Sequence, residues 1–110
     1  MDERARRIGL NEAVFRRVNE EIETLERGLA GIGDGNLHIV CECGNAGCGE
    51  RVVVPVDEYE RVRRDSTLFF VVPGHEIPSV EDVVDETPRF AVVRKREGTS
   101  RRIAEETDPR

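Results

Sequence analysis

Cys41, Cys43 and Cys48 are the only cysteines of the chain, and they fall within the segment Cys41-Glu42-Cys43-Gly44-Asn45-Ala46-Gly47-Cys48-Gly49. An odd number of cysteines in so short a stretch is a poor disulfide framework and points to metal ligation or redox chemistry. Thiolates are soft donors, and zinc takes four ligands tetrahedrally at about 2.0–2.3 Å. Two cysteines one residue apart can share an ion if the chain turns at once after the second. Gly44 is read as permitting that turn through its tolerance of positive φ. Gly47 and Gly49 then let the backbone curl and return Cys48 to the metal, with backbone N–H groups aimed at the sulfurs. An iron–sulfur cluster normally takes four cysteines, one more than the chain has.

A tetrahedral site with three cysteines lacks one ligand. The chain has two histidines, His38 and His75. His38 sits three residues before Cys41 on what reads as the incoming strand, where alternation points it to the opposite face. His75 follows Pro73-Gly74, a rigid-then-permissive pair that aims a side chain out of a loop. His75 is therefore the expected fourth ligand. His38, a carboxylate such as Glu42 or Glu50, or water are the alternatives.

The elements that must position these residues follow from periodicity. Phe15, Val18, Ile22, Leu25 and Leu29 recur at alternating three- and four-residue steps, which predicts a long amphipathic helix packed on a sheet. Asn11 reads as its N-cap, Gly28 and Gly31 as its stop, and residues 31–36 as a turn. Residues 37–41 and 51–56 predict a β-hairpin whose tip is the cysteine knuckle, with Val52, Val54 and Val56 on one face. Residues 57–64 predict a short helix capped by Asp57, with Tyr59 and Val62 inward. Residues 67–72 predict an apolar strand ending at Pro73. Val80, Val83 and Val84 have helical spacing but are valines, so a strand is expected there, with a turn at residues 87–89 and a partner strand over 90–94. A terminal helix is expected after Gly98. The whole is an α+β fold: a long N-terminal helix on a small antiparallel sheet with a zinc knuckle, plus short helices. Residues 1–110 read as one small domain, with 1–8 and 107–110 fraying.

Composition narrows the function classes. Aromatics make up only 5% of 110 residues. The core must therefore be built from smaller aliphatic side chains, and a metal staple helps a domain so lean. The net charge is -6. It leaves no basic footprint of the kind that phosphate neutralisation requires, so nucleic-acid binding is not expected. The arginines are interleaved with acids, as in Arg16-Arg17 before Glu20-Glu21, and read as solvated helix pairs. No apolar run spans a bilayer and the start carries no signal-peptide core, so the expected location is cytoplasmic.

The stretches Asn-Glu-Ala with Phe-Arg-Arg-Val-Asn-Glu (11–20), Cys-Glu-Cys-Gly with the later Cys (41–48), Glu-Tyr-Glu-Arg-Val-Arg (58–63) and Val-Val-Pro-Gly-His (71–75) resemble a group of small uncharacterised proteins of high-GC bacteria. The resemblance covers nearly the whole chain. It supports pairing Cys41, Cys43 and Cys48 with His75 and implies no particular activity.

The functional expectation is a small zinc-binding protein with a structural Cys3His site, acting as a non-catalytic interaction or regulatory module. A zinc enzyme with an open metal position and a thiol or zinc redox sensor are the rivals. No H-E-x-x-H or deaminase pattern supports the enzyme. The apolar stripe of the first helix makes a protein partner or a homodimer through that helix a further expectation.

Overall fold

Good helix formers (Ala, Arg, Glu, Leu) dominate the start of the chain, and they form a single helix, α1 (Glu3–Arg27), in the computed structural model. The structure describes residues 3–27 and 35–110. The expected roles of Gly28, Leu29 and Gly31, and most of the turn at 31–36, lie outside the described residues. No helix among the described residues is long and apolar enough to cross a membrane.

Strands β1 (Asn36–Val40) and β2 (Arg51–Pro55) form the expected antiparallel hairpin, with Leu37 opposite Val54 and Ile39 opposite Val52. These four side chains are buried, while His38 between them is exposed. Helix α2 (Val56–Arg63) starts directly after Pro55, so Val56 opens a helix instead of extending the valine face of β2. Asp57 bonds the next N–H, of Glu58, and gives no side-chain cap to α2. Tyr59 and Val62 point inward as expected.

A second, three-stranded antiparallel sheet is built from β3 (Leu68–Val71), β4 (Glu81–Glu86) and β5 (Ala91–Lys95) in the order β3-β5-β4. Valine's strand preference thus wins over helical spacing at Val83 and Val84, with an irregularity in the ladder between Val83 and Asp85. Helix α3 (Thr99–Glu106) follows and packs on α1. The architecture is α+β. Its core has two parts. One joins the hairpin, α2 and alternate residues of the second sheet around Phe70. The other joins Phe69, Val71, Ala91, Val93 and Ala104 to Cys41 and Cys43.

The face that α1 buries is the main correction. Periodicity predicts that the stripe covers the sheet, but Val18 is 38% and Leu25 71% exposed. Of the stripe, Ile22 packs only partly against the core. The buried face instead carries Ala5, Ile8, Glu12, Arg16, Asn19 and Glu23. The reason is the inventory of backbone groups beneath the helix, which need partners once water is excluded. Arg16 donates to the carbonyls of Ser66 (2.6 Å) and Ala104 (2.5 Å) and lies 4.5 Å above the Phe69 ring. Asn19 donates to the Val40 carbonyl and accepts from the Val40 N–H, both at 2.8 Å. Glu12 meets the buried Lys95 ammonium at 2.9 Å, which also donates to Glu81 at 2.7 Å.

The termini and the start of α1 also differ from expectation. Residues 3–8, read as fraying, are helical, with Ala5 and Ile8 buried. Asn11 is not an N-cap; it lies in mid-helix and donates to the Gly44 carbonyl at 2.9 Å. At the other end Asp108 accepts from the buried Arg63 at 2.7 Å, and Arg110 bridges Glu20 and Glu60.

Candidate metal centre

Beyond β1 the alternation of the strand carries on through the C-x-C segment, so Cys41 and Cys43 share one side and Glu42 takes the other. The Cys41 N–H donates to the Glu50 carbonyl at 2.9 Å, which continues the hairpin to its tip. Asn45 then closes the knuckle: its carbonyl accepts from the Cys48 N–H at 3.0 Å and its side chain from the Gly47 N–H at 2.9 Å. On the far side, β3 runs into Pro73-Gly74. Gly74 adopts φ +93°, a conformation that favours glycine. The His75 N–H donates to the Val72 carbonyl at 2.8 Å. This tight turn points His75 back at the knuckle.

The outcome is convergence: one ligand atom from each of Cys41, Cys43, Cys48 and His75 lies within 4.8 Å of all the others. His75 Nδ1 stands 3.7 Å from both Cys41 Sγ and Cys48 Sγ. A tetrahedral ion with typical zinc–sulfur and zinc–nitrogen bonds separates its sulfur and nitrogen donors by about 3.6 Å. The four residues are therefore compatible with a Cys3His metal site. Zinc-type chemistry also wants the other ring nitrogen held, and His75 Nε2 lies 3.2 Å from Glu50 Oε2.

The other ligand candidates are engaged elsewhere. His38 projects to solvent from β1 and is not in the cluster. Glu42 is fully buried on the opposite side, where its carboxylate accepts from Asn19 at 2.8 Å and from the Phe70 N–H at 2.9 Å. Glu50 reaches His75, not the sulfurs. The sequence offers Glu42 only as an alternative ligand, and its partners on α1 and β3 do not follow from spacing.

Burial pushes the Cys41 and Cys43 thiols above the usual range. Backbone N–H groups oppose this: Val72 donates to Cys41 Sγ at 3.2 Å, and Asn45 donates to Cys43. A cation at the centre would supply the charge stabilisation that these dipoles provide only in part. Cys48 is only partly buried and forms the outer edge of the site.

The knuckle glycines act differently from expectation. Among the described residues the positive-φ glycines are Gly35, Gly74 and Gly98, so Gly44 turns the chain without a left-handed conformation. What Gly44 supplies is space: a Cβ there would lie 2.6 Å from Ile8 Cγ2 and 2.9 Å from Ile77 Cδ1. The knuckle is thus clamped between α1 and the loop that carries His75. The chain matches no protein-family model, no curated protein and no solved structure.

Proposed function

We propose that Cys41, Cys43, Cys48 and His75 hold one zinc ion as a structural staple, and that the protein is a small, non-catalytic interaction or regulatory module. The observation that carries this reading is the convergence of four donors from two distant segments, at distances that suit a closed tetrahedral site. Bound zinc would tie the hairpin tip to the loop after β3, so that it constrains the fold as a whole. Structural zinc contributes on the order of 10 kcal/mol to small metallo-domains, comparable with the whole stability of a domain of this size. The reduced thiols suit a cytoplasmic setting.

A catalytic zinc keeps one position for water and a nearby base. Of the carboxylates the cysteine segment offers as a base, Glu42 is committed to Asn19 and Phe70 and Glu50 to His75. This favours the structural reading over the enzyme. Elemental analysis of purified protein tests it: one zinc per chain is expected, with chelation abolishing the cooperative unfolding transition. Absence of stoichiometric metal, or an unchanged melt after chelation, contradicts it.

A further inference from the structure

Helix α1 buries a polar face and leaves an apolar one outside. Leu10 is 38% exposed, Val14 60%, Val18 38% and Leu25 71%. They recur at four- and seven-residue intervals, which place them on one side of the helix. Single exposed apolar residues are ordinary, but a stripe along a helix marks an interaction surface. Near its C-terminal end, Leu25 lines a hollow of about 470 Å³ with Arg17, Glu20, Glu21, Thr24 and Pro109.

The charges on this face indicate the occupant. Arg7 and Glu21 are exposed, and among the described residues neither takes part in a side-chain hydrogen bond or ion pair. They stand seven residues before and seven after Val14, and Leu10 and Val18 stand four before and four after it. The stretch from Arg7 to Glu21 is therefore self-complementary about Val14. A copy related by a two-fold axis through that residue brings Leu10 against Val18 and Arg7 against Glu21, twice each.

We infer that α1 pairs antiparallel with α1 of a second copy of this chain, centred on Val14. One apolar contact and one ion pair close each half of the interface, and the buried polar face of α1 stays on its own sheet. One helix pair is a small interface, so the dimer dissociates in the micromolar range, on the order of 10 μM. This inference gives the proposed module its partner and rests on that reading.

Sedimentation equilibrium of the full chain, with zinc content measured on the same samples, tests it. The expected result is a monomer–dimer equilibrium reaching twice the 12.4 kDa chain mass. Val14→Glu puts like charges face to face at the axis and weakens dimerisation at least about ten-fold. Its circular dichroism and metal content stay unchanged, because Val14 has no role in the protomer core. Arg7→Glu and Glu21→Arg each weaken the dimer, and the double variant restores it. A zinc-loaded wild type that stays monomeric overturns the pairing and leaves the metal staple standing. A double variant no better than the singles overturns the antiparallel register. A metal-free dimer supports the pairing and contradicts the staple instead.

Discussion

Glu42 and Phe70 hold each other through two hydrogen bonds: the Glu42 N–H donates to the Phe70 carbonyl at 2.8 Å, and the Phe70 N–H donates to the Glu42 carboxylate at 2.9 Å. A single residue thereby does for the edge of β3 what a neighbouring strand would do. Because Glu42 lies between Cys41 and Cys43, the same bonds fix the side from which both sulfurs face His75. Asn19 accepts from and donates to Val40 and also donates to Glu42, which joins α1 to this lock.

Glu42→Ala should therefore loosen the knuckle without removing a metal ligand. It takes the acceptor from the buried Phe70 N–H and from one side of the Asn19 amide, at a cost of about 3 kcal/mol. Glu42→Gln keeps an acceptor and the volume, and should cost clearly less. Urea denaturation of the three proteins checks the order. Equal stability of Glu42→Ala and wild type would remove Glu42 from the account.

The two faces of α1 should respond in opposite senses. Arg16 gives donors to the Ser66 and Ala104 carbonyls and a cation above Phe69. Arg16→Ala strips all of these and should cost about 3 kcal/mol or more. Leu25→Gln, on the exposed face, should stay within about 0.5 kcal/mol of wild type in dilute solution. Thermal melts decide it. The reverse ranking would mean that the apolar stripe is the buried one.

The strands, their order of appearance and the four clustered side chains were legible because each rests on local rules: alternation at Leu37 and Ile39, valine preference at Val83, the Pro73-Gly74 turn before His75. The buried face of α1 was not. Hydrophobic periodicity selects Phe15, Val18, Ile22 and Leu25, and nothing local reveals that Arg16 and Asn19 have backbone acceptors waiting on segments far away in sequence. The need for glycine at position 44 is likewise invisible to local rules, since its demand for space arises from Ile8 and Ile77, neither of which is close to it in the chain.

Glu12 supplies a pH signature. Burial, against the attraction of Lys95 and with the repulsion of Glu81, pushes its carboxyl from 4.5 up to about 8. Lys95 offers one positive charge to two buried carboxylates. The native state then holds a proton that the unfolded chain has released between those two values. This contribution to stability is full below the unfolded value and is lost as pH rises through the folded one. Glu12→Gln mimics the protonated form and lacks the dependence. Wild type should lose stability relative to Glu12→Gln as pH rises from 5 to 8, by no more than about 1.4 kcal/mol per pH unit. Urea titrations across that range measure it. No relative loss across that range would mean that Glu12 is already ionised against Lys95 in the native state.

The histidines should separate cleanly. His75→Ala should weaken zinc binding about 100-fold, and Glu50→Gln, which loosens the ring through Nε2, about ten-fold. His38 is exposed outside the cluster, and His38→Ala should leave affinity within about two-fold. Competition titration with a chromophoric chelator measures all three. Equal effects at His38 and His75 would refute the assignment.

Zinc K-edge X-ray absorption on the purified, metal-loaded protein tests the central claim most directly. A first shell of three sulfurs at about 2.3 Å and one nitrogen at about 2.0–2.1 Å, with the outer-shell scattering of one imidazole, is the predicted result. An oxygen ligand in place of imidazole, or fewer than three sulfurs, would contradict a closed site built from Cys41, Cys43, Cys48 and His75.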